Sequence, residues 1–597
     1  MRLPRLSVAA FAVLLAGASA WSSAGGAAAS SRVLLVCNGT EGFTCPAGPA
    51  APNYASIQAA VDAAQPGDWI LVWPGDYREQ GRGDPAHPAG VLITTPGVFL
   101  RGMDRNLVVV DGTKSGPECS SAAADQNVGG SGRDGVVVWK TDGTWLENFT
   151  VCNFLTSPAG SHGNQIWWNG GDGSGQIGMH SYWGDDLTAT STYATIDASH
   201  PEGGANPRGE YGIFSSNVGD GSSQYSGFMN HSYANNMGDA AFYIGACPNC
   251  SQILENSRGE NSALGFSGTN AGGNLIIANT EFDQNKTGLT ANSQNNDDQP
   301  SPQDGSCPTG SSPPVDGATG CTIFENNRIH DNNNPNVPGV GEGLAGGAPI
   351  GTGVVLAGTR FITLSHNRIH NNDAWGALVT DLPDPEHAPA GFPDCTGGTW
   401  VDALQVCWYQ AYGNATIDNL FESNGGYGNP TNGDVALIEP LTPPDDPSKP
   451  GNCFHGNSNP AYPAGFLKSD PPPFPGSEAP SNYLQQPTTY GTCGVSNAGN
   501  ADPVLFGEAA CNSQLLFGCP ANFPYVANYP RPTKVHLMSL RQTAHRSPTM
   551  ADPCGPDSFG QVPPPNPWCP YTGPTSRSHQ ADTSARMDST AMARRLG

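Results

Sequence analysis

The densest group of side chains that could do chemistry lies between residues 162 and 186. Asp185 and Asp186 are adjacent carboxylates, and His180 precedes them closely in the chain. Carboxyl pairs and imidazoles commonly transfer protons in the hydrolysis of glycosidic bonds and in related reactions. We therefore predict that Asp185, Asp186 and His180 are catalytic. The alternative interpretation is that the two aspartates lie in a solvated turn.

Aromatic side chains accompany these polar residues, and their flat faces suit the apolar surfaces of sugar rings. If strands alternate inward and outward side chains, Phe214 and Tyr243 share one outer face with Ser267, Thr290 and Thr380. That face would be either a ligand platform or a small secondary core beneath an insertion. The predicted substrate-binding residues are Trp167, Trp168, Trp183, Phe214 and Tyr243. The alternative is that some of the tryptophans fill the core.

A cluster of oxygen-bearing side chains opens one predicted insertion. Asn296, Asp297 and Asp298 are consecutive, and hard oxygen ligands of this kind bind Ca²⁺. We predict a Ca²⁺ site here and no other cofactor. A solvated loop of an acidic protein is the alternative.

The elements that must position these residues are short strands in a repeat. Segments that end in Asn recur along the chain. Their spacing is either one unit of about 24 residues or one such unit lengthened by an insertion. Apolar strands precede and follow most of them. The repeated asparagines are Asn236, Asn261, Asn285, Asn332, Asn372 and Asn424. Three short strands per unit predict one coil of a right-handed parallel β-helix, with Asn at a left-handed corner and its amide bonded along the stack.

One amphipathic helix is predicted near the start of residues 54–79, because Ile57, Ala60, Val61 and Ala64 recur at helical spacing. This segment and the Asn repeats resemble the secreted right-handed parallel β-helix proteins of the pectin-lyase-like superfamily, over roughly residues 50–440. The resemblance implies an all-β fold with a capping helix. Ser161-His162-Gly163 and Gly184-Asp185-Asp186 superficially resemble polygalacturonase motifs, but their order is reversed and that family's Arg-Ile-Lys motif is absent, so no specific enzyme family is matched.

The N-terminal residues are typical of an export signal. A basic start and a short apolar run end in a small-residue cleavage motif, which predicts a signal peptide over 1–20, or alternatively over 1–29. The apolar run is too short to span a bilayer, and no other segment is predicted to do so. The predicted domains are the β-helix at 30–445, a Cys- and Pro-rich extension at 446–519 that packs on or caps the β-helix, and a largely disordered, Pro-rich tail at 520–597.

Sixteen cysteines fit an exported chain in which all are paired. We predict disulfides between chain neighbours that brace insertions and ends. The predicted pairs are Cys37 with Cys45, Cys119 with Cys152, Cys247 with Cys250, Cys307 with Cys321, Cys395 with Cys407, Cys453 with Cys493, Cys511 with Cys519, and Cys554 with Cys569. The Cys-Pro-Asn-Cys spacing also fits redox chemistry, but the β-rich context favours a structural disulfide.

Composition narrows the function further. The chain has 77 Gly and 54 Pro, only 13% charged residues, and a net charge of −26. This charge disfavours nucleic-acid binding. The sequence therefore predicts a secreted, monomeric protein that binds or acts on an extracellular polysaccharide, as a lyase or a glycoside hydrolase. The scarcity of basic residues favours a neutral glycan. The alternative is a non-catalytic, glycan-binding or structural protein of the cell surface or matrix.

Overall fold

We describe a computed structural model of the chain. The described residues are 31–570, except 41, 129, 197–204, 220–224, 297, 342, 440–448, 463–465, 471–482, 486–502, 514–518, 520–521 and 525–527. The predicted signal peptide, at 1–20 or 1–29, lies outside them, as do residues 571–597. Among the described residues, no helix is both long and apolar enough to cross a membrane.

Three long sheets with parallel coil strands form the body of the molecule, and the chain visits them in the order A, B, C in each coil. Sheet A contains β1 (Val33–Val36), β2 (Trp69–Val72), β5 (Phe99–Gly102), β8 (Thr144–Glu147), β11 (Tyr182–Asp185), β16 (Gly227–Asn230), β19 (Ser251–Glu255), β22 (Asn274–Ala278), β25 (Thr322–Glu325), β28 (Ile362–Ser365), β34 (Ala415–Ile417) and β37 (Cys453–His455).

Sheet B contains β3 (Gly75–Tyr77), β6 (Val108–Asp111), β9 (Thr150–Cys152), β12 (Thr188–Thr190), β17 (Tyr233–Asn235), β20 (Arg258–Glu260), β23 (Glu281–Asp283), β26 (Arg328–His330), β29 (Arg368–His370) and β35 (Leu420–Glu422). Sheet C contains β4 (Ala89–Ile93), β7 (Asp134–Trp139), β10 (Ile166–Asn169), β15 (Ile213–Ser216), β18 (Ala240–Gly245), β21 (Leu264–Thr269), β24 (Thr287–Asn292), β27 (Thr352–Ala357), β30 (Trp375–Thr380), β36 (Gly433–Ile438), β38 (Phe466–Asp470) and β39 (Tyr483–Gln485).

The remaining elements lie in insertions and at the ends. They are the strands β13 (Ala194–Thr195), β14 (Ala205–Arg208), β31 (Leu382–Asp384), β32 (Thr399–Val401) and β33 (Val406–Tyr409), and the helices α1 (Ile57–Ala63), α2 (Gly343–Gly346), α3 (Pro503–Asn512) and α4 (Leu540–Arg546), with 3-10 turns at Gly48–Ala50 and Ala123–Asp125. The protein is therefore a right-handed parallel β-helix, and α1 lies at its first coil, where Ser56 caps the helix by accepting a bond from the Ala59 amide.

Asparagine ladders bind one coil to the next. The Asn285 amide donates to Asn332 Oδ1 at 3.1 Å, and Asn332 donates to Asn372 Oδ1 at 3.1 Å, so the predicted stacking is present. At these coils the residue with positive φ is the one before the asparagine, such as Gln284 and Asp331. At the earlier coils Asn236 and Asn261 have positive φ themselves and bond to each other, as the sequence predicts.

Glycine beside the ladder leaves room for it. A Cβ on Gly288 would lie 2.5 Å from the Gly353 carbonyl oxygen and 2.8 Å from the Asn332 amide nitrogen, which no side chain tolerates. A second ladder, not foreseen from the sequence, follows the corner between sheets A and B. There Asn367 donates to Asn419 Oδ1 at 2.9 Å, and Asn419 donates to Asn457 Oδ1 at 2.9 Å.

The described coil strands extend beyond the boundary predicted at 445. Strand β37 adds to sheet A at Cys453–His455, and β38 adds to sheet C at Phe466–Asp470. Part of the predicted 446–519 extension is therefore the last coil. Its helix α3 covers the outer face of sheet C, because Leu505 and Ala509 pack there against Leu378.

Residues 531–570, the C-terminal strap, lie along the β-helix from the later coils back to the first. Met538 exchanges two hydrogen bonds with the Asn236 side chain, at 2.8 and 3.0 Å, and the Met550 amide donates to Asn148 Oδ1 at 2.9 Å. The indole of Trp568 donates to the Ala50 carbonyl at 2.8 Å. The tail predicted as largely disordered over 520–597 is thus ordered over 531–570, because ladder and corner asparagines satisfy its backbone groups.

Seven disulfides have both cysteines among the described residues. They join Cys37 to Cys45, Cys119 to Cys152, Cys247 to Cys250, Cys307 to Cys321, Cys395 to Cys407, Cys511 to Cys519, and Cys554 to Cys569. Each joins the neighbours expected from the sequence. The eighth predicted pair includes Cys493, which lies outside the described residues.

Candidate functional site

An aromatic strip of four side chains crosses the outer face of sheet C in its N-terminal half. Parallel pairing places Trp167, Phe214 and Tyr243 in one column on three successive coils. The Trp167 and Phe214 rings stack in parallel at 4.9 Å, and Phe214 meets Tyr243 edge-on at 4.6 Å. Trp139, one coil earlier and two residues further along the strand, completes the strip. The inward neighbours on these strands, such as Trp168, fill the core instead.

The two tryptophans are the side chains of the strip that are partly exposed to solvent. Trp139 and Trp167 are half-buried, whereas Phe214 and Tyr243 are buried. The Trp167 indole donates to Ser216 Oγ at 3.0 Å, which fixes its ring against the sheet. His87 lies with its ring 4.2 Å from that of Trp139. The strip therefore offers two rigid, partly open aromatic rings along the helix axis.

A carboxylate–imidazole pair lies at the edge of sheet C where the strip's strands begin. Asp134 Oδ2 lies 2.7 Å from His162 Nδ1, and Asp134 Oδ1 accepts a bond from the Asn164 amide at 3.0 Å. The hydrogen bond to Asp134 raises the pKa of His162 above its usual 6.5. Asp134 is buried and His162 is 26% exposed in its side chain. The pair can therefore hold or accept a proton at a surface that solvent reaches.

The opposite edge of the same strands carries a second charged pair. Lys140 follows Trp139, and its ammonium group contacts the Asp172 carboxylate and lies 5.9 Å from the Trp139 ring centroid. Both side chains of this ion pair are partly exposed. The strip is thus bordered by ionic groups at both strand ends, an arrangement that suits a polar ligand with apolar faces.

The predicted catalytic residues do not lie at the strip. Asp185 ends β11 on sheet A, and Asp186 forms the left-handed corner between sheets A and B. Burial, together with the neighbouring Asp185, raises the pKa of Asp186 to about 6. His180 is exposed and contacts Asp142 rather than either aspartate. His180 therefore lies apart from the two aspartates, whereas a carboxylate oxygen of Asp185, one of Asp186 and a ring nitrogen of His231 lie within 4.8 Å of one another. A catalytic role for Asp185, Asp186 and His180 stays a prediction.

The strap further closes the surroundings of Asp185. Ser558 donates its backbone amide to Asp185 Oδ2 at 3.2 Å, and its hydroxyl lies 3.1 Å from His231 Nδ1. His231 Nδ1 also lies 3.2 Å from Asp185 Oδ1. Since Ser558 and Asp185 approach the same ring nitrogen, these three residues cannot relay a proton as a catalytic triad does.

Two of the predicted sugar-binding tryptophans, Trp168 and Trp183, lie away from the aromatic strip. Trp168 is fully buried in the core and stacks on Tyr182 at 4.4 Å. Trp183 stands on sheet A and stacks on Trp145 at 4.4 Å, within an aromatic row that the strap's Phe559 covers. The substrate-binding prediction is corrected for Trp168, because alternation along its strand sends the side chain into the core. Trp183 is half-buried beside Phe559, and its role in substrate binding stays a prediction.

The predicted Ca²⁺ ligands are engaged in a local turn. Asn296 Oδ1 accepts the Asp298 amide at 3.0 Å, and the Asp298 carbonyl accepts a bond from Asn270 at 2.8 Å. Asp297 lies outside the described residues. The oxygens used in these bonds fit a turn better than a cation shell, and Ca²⁺ binding here stays a prediction.

The C-terminal half of the same sheet face is covered. Residues 382–409, here called the flap, form a small antiparallel sheet of β31, β33 and β32, and α2 and α3 pack beside it. A cavity of about 60 Å³ remains beneath them. Its lining is mostly apolar and includes Leu344, Ala348, Val355, Leu378, Ile438 and Phe506. This half is a secondary core, the alternative that the sequence left open.

Sequence reasoning did not single out Trp139, Asp134 or Lys140. The signal was present in the run Asp134-Gly-Val-Val-Val-Trp139, whose alternation places Val137 and Trp139 on one face. The sequence does not indicate which of the three sheets this strand joins. His162 was noticed only within a motif that did not fit a known enzyme.

The fold and this surface define the class of the protein, an all-β, right-handed parallel β-helix with an aromatic outer strip. No protein-family model matches the chain, and no curated protein matches it. Among solved structures, it is similar to the A-module of a mannuronan C-5 epimerase from Azotobacter vinelandii, with 15% identity and a TM-score of 0.36 over 68% of this chain and 93% of that one.

Two further solved structures are similar at the same level. An alginate lyase from Paenibacillus sp. has 11% identity and a TM-score of 0.33, over 72% of this chain and 95% of that one. The Dettilon tailspike protein has 12% identity and a TM-score of 0.37, over 66% of this chain and 57% of that one. No conclusion about activity follows from similarities of this size.

Proposed function

We propose that the protein binds an extracellular polysaccharide along the outer face of sheet C. The observation that carries this proposal is the aromatic strip, with Trp139 and Trp167 half-open on successive coils and fixed by their neighbours. Coils repeat at one strand spacing, about 4.8 Å. A polymer that lies along the helix axis can therefore contact the two open rings on successive coils, and the Lys140–Asp172 pair at one strand end can bond its hydroxyls.

An extracellular setting is part of the proposal. The seven described disulfides are typical of chains that fold in an oxidising compartment. The predicted signal peptide supports the same setting. A net charge of −26 repels anionic polymers, so a neutral glycan is the favoured ligand of the strip.

A catalytic role as a lyase or glycoside hydrolase is the second candidate. The observation that favours it is the Asp134–His162 pair at the strip's edge, because a carboxylate that fixes an imidazole can tune it as a general acid or base. The pair is to be tested ahead of Asp185, Asp186 and His180. Non-catalytic binding remains the primary proposal, since the strip requires no reaction to explain it.

Binding is tested by affinity electrophoresis against a panel of neutral and acidic polysaccharides, with purified wild type and two variants. Trp167→Ala should weaken binding about tenfold or more, which corresponds to about 1.4 kcal/mol. Trp400→Ala is the matched control, because Trp400 is an exposed tryptophan on the flap. Equal losses in both variants, or no retention of the wild type by any polysaccharide, would contradict the proposal.

Catalysis is tested on the polysaccharides that bind, by following new reducing ends and the ultraviolet absorbance of unsaturated products. If the protein is an enzyme, His162→Gln should abolish turnover and leave retention of the polysaccharide unchanged. Turnover that survives this substitution would remove the Asp134–His162 pair from the mechanism. Binding without any turnover by the wild type would leave the non-catalytic function.

A further inference from the structure

The strap binds the outer face of sheet A through one buried arginine. The guanidinium group of Arg101 donates to the carbonyl oxygens of Pro553, Gly555 and Gln561, at 3.2, 3.0 and 3.2 Å. The Arg101 side chain is 0% exposed. The contact is therefore polar and shielded from water, and the charge of the arginine has to be balanced within it.

Two carboxyl groups meet this arginine, one from each side of the contact. Glu147 follows Arg101 by one coil in the same column of sheet A and accepts a bond from its Nε. Asp557 belongs to the strap, and its Oδ2 lies 3.6 Å from a terminal nitrogen of Arg101. Both carboxyl side chains are fully buried. Sheet A alone thus holds a balanced ion pair, and the strap adds a second acidic group to it.

The two acidic groups need a proton between them. They lie within hydrogen-bonding reach of each other. Glu147 Oε1 and Asp557 Oδ2 are both buried, and no donor among the described residues reaches either oxygen. Since ionised carboxylates only accept hydrogen bonds, two ionised groups here would repel each other beside a single cation. One shared proton bonds the two oxygens and leaves a single negative charge next to the arginine.

The hydrogen bonds indicate which of the two groups carries this proton. Asp557 Oδ1 accepts from the backbone amides of Phe559 and Gln561, at 2.8 and 2.7 Å, which favours its ionised form. Burial raises the pKa of Glu147 well above its usual 4.5, and the neighbouring Asp557 adds to this effect, while Arg101 opposes it. Glu147 is therefore the protonated member of the pair.

We infer that the strap is a pH-sensitive latch, which docks on sheet A with one proton held between Glu147 and Asp557 and is released as that proton is lost. With the strap away, Glu147 would pair with Arg101 in water and ionise in its ordinary range. Docking therefore takes up a proton at a pH above that range. The docked state is fully stabilised below the ordinary pKa of Glu147, and this stabilisation falls as the pH rises from there to the pKa of the docked state.

A neighbouring ion pair acts in the same direction. Asp185 follows Glu147 by one coil in the same column, lies 3.2 Å from His231 Nδ1, and accepts the strap amide of Ser558. The hydrogen bond to Asp185 raises the pKa of His231. Loss of the His231 proton at higher pH would leave Asp185 without its cation beside Glu147, which further disfavours an ionised Glu147 under the strap.

No second cation reaches the acidic pair among the described residues. Arg105 lies 3.6 Å from Asp186, at the corner that follows sheet A, and is engaged there. On the strap side, residues 547–570 contain no Lys or Arg. Arg101 is therefore the one described cation in contact with both carboxyl groups.

Release of the strap would uncover the aromatic row on sheet A. The Phe559 ring meets those of Trp145 and Phe228 at steep angles, with 5.6 and 5.3 Å between centroids. The latch thus controls access to that row. It is independent of the proposed function, because the aromatic strip lies on sheet C.

The latch is tested by hydrogen exchange of the full-length protein, read by mass spectrometry at pH 5.5, 6.5 and 7.5. After correction for the intrinsic pH dependence of amide exchange, the protection of residues 555–562 should fall by about tenfold per pH unit, the factor for one proton taken up on docking. Strand β27 should stay protected over the same period. Exchange of the strap only together with β27, or protection that does not vary with pH, would overturn the inference.

Glu147→Gln decides whether the acidic pair causes the effect. Its amide can accept from Arg101 and donate to Asp557, as the protonated carboxyl group does, but it does not titrate. Most of the fall in protection should disappear, and what remains measures the contribution of His231. Asp557→Asn removes the pair from the strap side and should give the same result, which covers the case in which Glu147→Gln does not fold.

Asp552→Asn is the matched control. Asp552 is an exposed carboxylate of the strap that accepts the Cys554 amide at 3.0 Å, and asparagine keeps that oxygen. Its strap should lose protection with pH as the wild type does. A wild-type slope in Glu147→Gln and Asp557→Asn, or an equal loss of slope in the control, would overturn the inference. Retention of polysaccharide is a separate readout and should be the same in Glu147→Gln as in the wild type.

Discussion

The two halves of the outer face of sheet C share one scaffold and have different surfaces. In the N-terminal half, Trp167 and Phe214 are stacked and Trp167 remains half-open. In the C-terminal half, Leu378 occupies the same column but is buried beneath the flap and α3. The strands are equivalent in register, so the difference arises from what the chain places over them.

This contrast shows how a repetitive scaffold acquires a local site. Every coil offers outward positions at the same spacing, and alternation alone cannot decide which become a core. Apolar insertions such as the flap convert Val355 and Leu378 into a second core. Where such a cover is absent among the described residues, aromatic side chains remain available to a ligand. The predictions below test this division.

The largest expected effect separates two tryptophans on the same sheet face. Trp375 is fully buried in the covered half and donates its indole to the Thr431 carbonyl at 2.9 Å. Trp375→Ala should lower the free energy of unfolding by about 3–5 kcal/mol, because it leaves a cavity and an unpaired carbonyl. Denaturant unfolding measures this. Trp167→Ala, in the open half, should cost roughly half as much.

Equal losses of stability in these two variants would contradict the division of the face into a core and an open strip. Polysaccharide retention supplies the second half of the test. The folded fraction of Trp375→Ala should bind as the wild type does, whereas Trp167→Ala should not.

The next effect concerns the flap disulfide between Cys395 and Cys407. Replacing both cysteines with serine should lower the free energy of unfolding by about 3 kcal/mol, because the unfolded chain regains the freedom of the closed loop. Denaturant unfolding of the oxidised proteins measures this loss. Polysaccharide binding should not change, since the flap lies over the other half. A matching loss of binding affinity would show that the flap belongs to the site.

The smallest effect is the pH dependence of the Asp134–His162 pair. The pKa of His162 is raised in the folded protein above its usual 6.5. The protonated imidazole therefore stabilises the fold below about pH 6.5, and this contribution is lost as the pH rises through the pKa of the folded state. The difference in free energy of unfolding between the wild type and His162→Gln should therefore be larger near pH 5.5 than near pH 8.5, with the variant the less stable of the two. The difference should be below about 1 kcal/mol in urea unfolding. A variant effect that does not vary with pH would exclude this linkage.

The sequence was sufficient for the fold because the coil repeats. Asn332 and Asn372 recur with apolar strands around them, and the observed ladder has the predicted bonds. The second ladder through Asn367 and Asn419 was equally periodic and could have been found by the same comparison. Periodicity identifies ladders because each coil makes the same contact as the last.

The site was less predictable because it depends on which sheet each strand joins. Asp185 and Trp183 lie close to the strip's residues in sequence but belong to sheet A, while Trp167 belongs to sheet C. The strap was missed for a different reason. Its Pro-rich sequence has no period, and its anchors are side chains such as Asn148 and Asn236, which occur elsewhere as ordinary corner residues.

The C-terminal strap also sets an order of assembly. Trp568 bonds to Ala50 across 518 residues, and Arg101 bonds to the carbonyl of Gly555 at 3.0 Å. A ribosome makes the first coils long before these partners exist, so the aromatic row on sheet A stays uncovered until the strap has been made. Nascent or truncated chains that end before the strap would therefore expose that row.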